Sequence, residues 1–340
     1  MGEEQGTSIR QDGPSEYPER VLRSVSLIVR CFNEEAHIGR LLTGALRQTH
    51  VADEIVIVDS GSTDATLAIA SKFDVRVISI APEHFSFGHA LNVGMSASSA
   101  EVGLFASAHV YPIYDTWIER LVAPFEDDRV ALSYGRQQTP PGGRFSERRL
   151  LSQWFPAQSA RGQRHPFCNN ANAAIRRAVW EERSYDEQLT GLEDLDWAKH
   201  AMEAGHSIAY VAEAPVIHVH QESFKQVTNR YRREAIAHKD IYNDQEMGMV
   251  TAARLAAINI VGDYREALRE RCFQEHAVDI PRFRLAQFIG TYRGFSQSGP
   301  VTDVLKRRFY YPSANGATAD DLQGGAVGRP IDYDAPSASR

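Results

Sequence analysis

Three carboxylates fall within four positions of the segment 191–197, which has the sequence Gly-Leu-Glu-Asp-Leu-Asp-Trp. Apolar residues follow at helical spacing: Leu195, Ala198 and Met202. The pattern predicts a helix whose first turn carries Glu193, Asp194 and Asp196. Acids at a helix N-terminus are favoured by the macrodipole, by roughly 0.3–1 kcal/mol each, so these three could be purely structural. Alternatively, one of them could act as a general base toward a hydroxyl group.

Two histidines alternate with apolar residues in the segment 216–220, Val-Ile-His-Val-His. Alternate residues of a strand point to the same face, so His218 and His220 can address one site. A metal ion or a diphosphate would suit two neighbouring imidazoles. A histidine in an apolar strand is also commonly hydrogen-bonded within the fold, and the sequence leaves both interpretations open.

The elements that must position these groups begin as alternating strands and helices. Apolar runs predict strands at 25–29, 54–59 and 75–80, and helical stripes lie between them at 38–46 and 65–72. This alternation predicts a parallel sheet with right-handed crossovers. Ligands bind such sheets beyond the carboxyl ends of the strands, where the segments 30–34 and 59–64 lie.

Polar residues in two loops have the chemistry to contact a sugar nucleotide. Asp59 ends the second predicted strand and can accept hydrogen bonds from a nucleobase imide or a ribose hydroxyl. The segment 169–172 is Asn-Asn-Ala-Asn, and its amide groups can both donate to and accept from sugar hydroxyls. The chain has neither a Gly-x-Gly-x-x-Gly nor a P-loop pattern, which weakens the dehydrogenase and P-loop interpretations.

Composition narrows the class of protein further. The chain has 340 residues, 43% of them hydrophobic and 24% charged, as expected for a globular protein with one large domain and an appendage. Its net charge of −7 argues against a nucleic-acid binder. No long apolar run and no signal-peptide pattern occur, so we expect a cytoplasmic protein without a transmembrane helix. The three widely spaced cysteines predict reduced thiols.

Several segments together resemble the family 2 glycosyltransferases of GT-A fold. They are Val-Arg-Cys-Phe-Asn-Glu-Glu at 29–35, Ile-Val-Asp-Ser-Gly-Ser-Thr-Asp at 57–64 and the Glu-Asp pair at 193–194. A further segment, Phe-Ser-Phe-Gly-His-Ala-Leu-Asn-Val-Gly at 85–94, most resembles the rhamnosyltransferase-like, polysaccharide-building branch. The resemblance implies an α/β fold with a mostly parallel central sheet flanked by helices. It also implies inverting transfer of a sugar from a nucleotide-diphosphate donor to an acceptor hydroxyl.

The resemblance also implies roles for individual residues. Asp194 would be the general base, with Glu193 as the second choice. The donor would be contacted by Phe32, Asn33, Glu34, Asp59, Gly88, Asn92, Ser107 and His109. The sugar or the acceptor would be contacted by Asn170, Asn172 and Trp197, although the Trp197 ring would serve equally well in the core.

His109 departs from the family pattern. The family carries Asp-x-Asp or a single Asp at the end of the fourth strand to bind the metal at the diphosphate, whereas the segment 107–109 here is Ser-Ala-His. An imidazole can ligate a divalent cation but brings no negative charge, and it can also donate directly to a phosphate. We therefore expect either a Mn²⁺ or Mg²⁺ site involving His109, His218 and His220, or direct contacts from His109 to the phosphates.

These patterns divide the chain into four parts. They are a disordered arm at 1–22, a GT-A catalytic domain at 23–245 with its donor half at 23–138 and its acceptor half at 139–245, a helical C-terminal extension at 246–311, and a disordered tail at 312–340. The expected partners are a dTDP-, UDP- or GDP-linked sugar and a saccharide or lipid-linked acceptor. The helical extension could also contact a membrane surface or a second subunit. A nucleotide-sugar-binding protein that has lost catalysis is the alternative function.

Overall fold

A computed structural model describes residues 23–242, 246–297 and 328–333, and the predictions for the remaining residues lie outside this part of the chain. The stretch 328–333 falls within the predicted disordered tail, but it packs against the fold. The Tyr333 ring meets the Tyr111 ring edge-on at 5.3 Å, and the Tyr333 hydroxyl donates to the Pro112 carbonyl at 2.5 Å. This aromatic pair and its hydrogen bond correct the prediction of disorder for these six residues.

The described residues form nine strands and eleven helices. The strands are β1 Val25–Cys31, β2 Glu54–Asp59, β3 Arg76–Ser79, β4 Val102–Ser107, β5 Val110–Pro112, β6 Val130–Gln138, β7 Ala160–Arg161, β8 Asn172–Arg176 and β9 Ser207–His218. The helices are α1 Ile38–Leu46, α2 Thr66–Ala70, α3 Phe87–Ala97, α4 Trp117–Val122, α5 Phe145–Trp154, α6 Arg177–Glu182, α7 Glu193–Glu203, α8 Phe224–Ile241, α9 Met249–Arg269, α10 Phe273–His276 and α11 Asp279–Phe295.

All the strands belong to one sheet, in the order β3-β2-β1-β4-β8-β6-β9-β5, with β7 paired to β9. The first four strands in this order pair in parallel, as the alternation of strands and helices predicts. β8 runs antiparallel to both β4 and β6, and β6 pairs in parallel with β9. The predicted α/β fold is therefore present with a mixed sheet, parallel throughout the N-terminal part that carries the predicted donor loops.

Apolar side chains fill both faces of this sheet. Along β1, Leu27 and Val29 point into one core while Ile28 points into the other. A strand buried on both faces needs apolar residues at consecutive positions, which explains the unbroken run 27–29. The two cores thus cover both faces of the sheet. Polar groups are carried where the parallel strands reach their carboxyl ends.

The C-terminal helices pack onto the preceding part of the chain. α11 lies against α8 so closely that a Cβ atom on Gly290 would stand 2.3 Å from the Thr228 carbonyl oxygen. Residues of α5, α9 and α11 meet around buried Asp263, which binds both Arg149 and Arg284. The helices α9 and α11 are therefore joined to the rest of the fold by buried contacts. None of the helices in the described segments combines the length and the apolar character that crossing a membrane requires.

Candidate active site at the carboxyl edge of the sheet

Three imidazoles meet where β4 and β9 end and β5 begins. His109 lies in the turn between β4 and β5, His218 is the last residue of β9, and His220 follows two positions later. The His109 ring stacks on the His218 ring, with their centroids 5.0 Å apart and their planes 22° apart. The His218 and His220 ring centroids are 4.0 Å apart. One nitrogen from each ring lies within 4.8 Å of the others, so the sequence prediction that these histidines share one site agrees with their placement.

Each of the three rings is oriented by a hydrogen bond at its Nδ1 atom. Glu34 Oε1 lies 2.6 Å from His109 Nδ1, Gln137 Oε1 lies 2.6 Å from His218 Nδ1, and Glu147 Oε1 lies 2.6 Å from His220 Nδ1. Since all three partners are acceptors, the network assigns the proton to Nδ1 in each ring. The Nε2 lone pairs are then left for another partner. His218 Nε2 is buried and has no hydrogen-bond partner among the described residues.

The pKa values of His218 and His109 are shifted in opposite directions. Burial lowers the pKa of His218 well below its ordinary value, and the neighbouring His220 and His109 rings act in the same direction. Burial also opposes protonation of His109, but the Glu34 carboxylate more than offsets it and raises the pKa of His109. His218 is therefore neutral at physiological pH, while His109 takes up a proton more readily than an ordinary histidine.

The cluster fits a divalent cation that prefers nitrogen ligands. Histidines that bind metals usually donate their other ring N–H to a carboxylate or carbonyl group, as all three do here. The unpartnered His218 Nε2 supplies a buried lone pair for such an ion. Three imidazoles suit transition-metal ions, whereas Mg²⁺ prefers oxygen ligands. Of the two predicted cations, the donor set favours Mn²⁺ over Mg²⁺.

A pair of buried carboxylates stands at the start of α7, as the sequence predicts. The preceding Leu192 adopts a left-handed conformation with φ 56°, which is rare for a bulky side chain and is often found at functional sites. Asp194 accepts hydrogen bonds from the backbone N–H groups of Asn170, at 3.1 Å, and Leu195, at 2.8 Å. Glu193 Oε1 accepts from the Asn170 side chain at 3.3 Å. Asn170 thus touches both acids.

The environment of Asp194 tunes its basicity. Burial, followed by the negative charge of Glu193, raises the pKa of Asp194 from 3.8 to about 7. A general base works best when its pKa lies near the working pH, so this carboxylate has the basicity required. Asp196, although also buried, lies 3.5 Å from Arg183 and 3.4 Å from His200. Its separate partners agree with the expectation that it is not the base.

Arg30, on β1, connects the carboxylates to the imidazoles. Its guanidinium lies 3.2 Å from Glu193 Oε1 and 4.8 Å from the centroid of the Phe87 ring. Its carbonyl oxygen accepts from the N–H of Ala108, next to His109. The Arg30 charge also opposes protonation of both Asp194 and His109. The acid pair and the imidazole cluster are therefore both near the positive charge of Arg30.

The predicted donor loops are joined by their own polar groups. The Asp59 carboxylate accepts from the N–H groups of Gly61 and Ser62, each at 3.0 Å. Asn33 adopts a left-handed conformation with φ 53°, and its side chain accepts from the Thr63 N–H at 2.8 Å. The segments 31–35 and 59–66 consequently form one platform beside the imidazoles. Of the other predicted donor residues, Phe32 and Ser107 are half-buried here, and Glu34 is turned toward His109.

Four predicted contact residues lie inside the fold. Both the donors and the acceptor of the Asn172 side chain are used by Arg136, Ala214 and Trp117. Those of the Asn92 side chain are likewise used, by Trp180, Tyr185 and Glu187.

Trp197 is only 1% exposed, and its indole N–H donates to the Arg183 carbonyl. A Cβ on Gly88 would stand 2.5 Å from the Asp186 carbonyl oxygen. Internal packing and hydrogen bonds use the polar groups and surfaces of all four residues in this structure, and their contacts with a donor or an acceptor stay predictions. The Trp197 ring lies in the core, which is the second of the two roles that the sequence leaves open.

Sequence reasoning did not single out Arg30, Gln137 or Glu147. Arg30 stood within a predicted ligand loop without a role of its own. Gln137 and Glu147 carry no local signal, since each acts on a histidine more than seventy positions away. The roles of these residues become visible only when the structure shows which distant segments lie side by side.

Comparison with known proteins finds similarity to sugar transferases. Residues 26–183 match the family described as Glycosyl transferase family 2. The O-antigen chain rhamnosyltransferases RfbN of Salmonella typhimurium and WbaN of Salmonella anatum are 26% and 28% identical to the chain over 227 and 228 residues. Each alignment covers 63% of this chain and 72% of the relative.

Solved structures show the same architecture. The mannosyltransferase PcManGT from Pyrobaculum calidifontis, in complex with GDP-Man and Mn²⁺, superimposes with a TM-score of 0.55 at 15% identity, covering 87% of this chain and 91% of that one. Glucosyl-3-phosphoglycerate synthase from Mycobacterium tuberculosis, in complex with Mn²⁺, UDP and glucosyl-3-phosphoglycerate, gives a TM-score of 0.50 at 20% identity, covering 66% and 82%. These similarities confirm the predicted GT-A fold.

Proposed function

We propose that this chain performs an inverting transfer of a sugar from a nucleoside-diphosphate donor to an acceptor hydroxyl, as the match of residues 26–183 to Glycosyl transferase family 2 suggests. The observation that carries the proposal is the set of groups near Arg30. A buried carboxylate pair and a cluster of three imidazoles both lie close enough to feel its charge. Such a site can offer a base to the acceptor and positive or ligating groups to a diphosphate.

Asp194 is the general base in this proposal. A sugar hydroxyl is a weak acid, so its proton must be accepted while its oxygen attacks the anomeric carbon. A carboxylate with a pKa of about 7 is a stronger base than an ordinary aspartate and is still largely ionised at slightly alkaline pH. The charge of Glu193, which is bound by Arg30 and Asn170, raises the pKa of Asp194 and so adds to its basicity.

The imidazoles of His109, His218 and His220 would hold a divalent cation at the donor diphosphate. A bound cation there would offset the negative charge that develops on the leaving diphosphate. The rings would be oriented for this task by Glu34, which also lies in the predicted donor loop, and by Gln137. PcManGT, which shares the fold, is in complex with both GDP-Man and Mn²⁺, which supports a cation bound together with the donor.

The chemical classes of the donor and the acceptor are inferred from the similar proteins. Two curated relatives are O-antigen rhamnosyltransferases, which favours a deoxysugar donor such as a dTDP-linked sugar and a saccharide or lipid-linked acceptor in polysaccharide synthesis. The solved relatives bind GDP-Man and UDP, so donors with these two bases belong in the same test.

A two-step experiment tests the function. dTDP-, UDP- and GDP-linked sugars are first screened by thermal shift with and without Mn²⁺. At one hundred times its Kd, a ligand adds about 2.7 kcal/mol of stability, enough for a rise of several degrees. Each donor that binds is then supplied with candidate acceptors, and NMR of the product determines the anomeric configuration. Retention of configuration would contradict the inverting mechanism, and donor binding without transfer to any acceptor would favour the nucleotide-sugar-binding alternative.

A further inference from the structure

An exposed stripe runs along α9 on the side opposite its buried face. The stripe consists of Val250, Arg254, Ile258, Val261, Arg265 and Leu268, and all six side chains are exposed. The four apolar members are between 46% and 80% exposed. At 3.6 residues per turn the six positions occupy about 80° of the helix circumference. The buried residues Ala252, Ala256, Asp263 and Ala267 lie on the other side of the helix.

The stripe carries positive charge and no acid. Arg254 and Arg265 form no ion pair with any residue in the described parts of the chain, unlike nearby Arg269, which binds Glu266. The acids of α9 lie elsewhere, since Asp263 is buried and Glu266 is turned toward Arg269. Apolar residues interleaved with unpaired arginines are typical of helices that lie in the plane of an anionic lipid surface.

A second copy of the chain fits the stripe less well. In a two-fold contact with antiparallel α9 helices centred on the stripe, Ile258 would face Val261, but Arg254 would face Arg265 of the other copy. Two pairs of like charges would then be brought together within the contact, where their repulsion is strongest. An anionic surface instead complements both arginines while it accepts the apolar side chains.

We propose that the α9 stripe is a docking surface for anionic membrane lipid, with the axis of α9 parallel to the membrane plane. The four apolar side chains enter the interface, and Arg254 and Arg265 bind lipid phosphates. This surface is formed by the helical extension alone and does not depend on the proposed transferase reaction. The catalytic domain, which contacts the opposite face of α9 through α5, is held on the side away from the lipid.

Flotation of the full chain with vesicles tests the proposal. The chain is expected to float with vesicles of equal parts phosphatidylglycerol and phosphatidylcholine, not with pure phosphatidylcholine, and to be released as salt is raised. Arg265→Glu should weaken binding at least ten-fold, and Ile258→Asp should abolish flotation. The matched controls are Arg120→Glu on α4 and Leu46→Asp on α1, both at exposed positions, and they should bind like the parent.

Three outcomes would overturn the proposal. The first is an absence of flotation on anionic vesicles, and the second is binding that the α9 substitutions leave unchanged. The third is a dimer in light scattering that Ile258→Asp converts to monomers, which would assign the stripe to a second copy. Because all the substituted side chains are exposed, unchanged melting temperatures in the variants separate loss of docking from loss of folding.

Discussion

Asp194→Asn separates the basicity of the proposed base from its size. The amide keeps the shape of the carboxylate but cannot accept a proton near neutral pH, so turnover at saturating donor should fall by about 10²–10⁴-fold. Donor affinity should be unchanged, because Asp194 has no place in the donor platform. Glu193→Gln should lower turnover less, and Asp196→Asn, whose carboxylate is paired with Arg183, should change it little.

The same substitution should change stability in a pH-dependent way. The folded state raises the pKa of Asp194 from 3.8 to about 7, so between these values the native protein holds a proton that the unfolded chain has lost. Stability of the parent therefore falls as pH rises through this window, by up to about 4 kcal/mol at about 1.36 kcal/mol per pKa unit. Asp194→Asn removes this loss.

The substitution also removes a hydrogen bond, and this loss opposes the gain in stability. Asp194 accepts from two backbone N–H groups, and an asparagine side chain has only one oxygen, so one N–H loses its acceptor at a cost of about 1–3 kcal/mol. The variant should consequently melt no higher than the parent near pH 4 and higher above pH 7, by a few degrees. Melting curves across this range and sugar-transfer rates provide the two measurements. Near-normal turnover would refute the assignment of the base, and a stability difference that is constant with pH would refute the raised pKa.

Three further predictions concern the imidazoles and the donor platform. Glu147→Gln weakens the anchor of His220 and should reduce Mn²⁺ affinity by about 10–100-fold in calorimetry, whereas Glu119→Gln on α4 should leave it unchanged. Mn²⁺ affinity should fall as pH is lowered through the raised pKa of His109, because the protonated ring cannot bind metal; affinity that is constant down to pH 5 would exclude His109 as a ligand. Asp59→Ala should weaken nucleotide binding by roughly 1.5–3 kcal/mol, measured by calorimetry, and equal affinities would remove Asp59 from the site.

The sequence predicted those features whose signal is local. The apolar run at 27–29 and the acids at 193–194 specify a buried strand and a helix start through residues that are close in the chain. The alternation of His218 and His220 likewise predicts that both rings address one site, and their ring centroids are 4.0 Å apart. β9 itself ends at His218, so the place of His220 also depends on the residues that follow the strand.

Features that depend on distant pairings were not predictable in the same way. Asn172 has the chemistry of a sugar ligand, but β8 places its amide where the NH₂ group donates to the Arg136 and Ala214 carbonyls and the oxygen accepts from Trp117. Asn92 is used similarly by the loop that carries Tyr185. A polar side chain near a site can bind ligand or organise the fold, and only its tertiary neighbours decide between these roles.

The imidazole cluster also gives the helical extension a part in the proposed chemistry. Glu147 orients His220, and its helix α5 is fixed by adjacent residues: Ser146 and Arg149 both bind Asp263 of α9. Asp263 is fully buried and also binds Arg284 of α11, so removing either helix would leave a buried charge without its partner. The orientation of His220 thus depends on helices outside the region matched to the family, which makes the extension part of the site's framework.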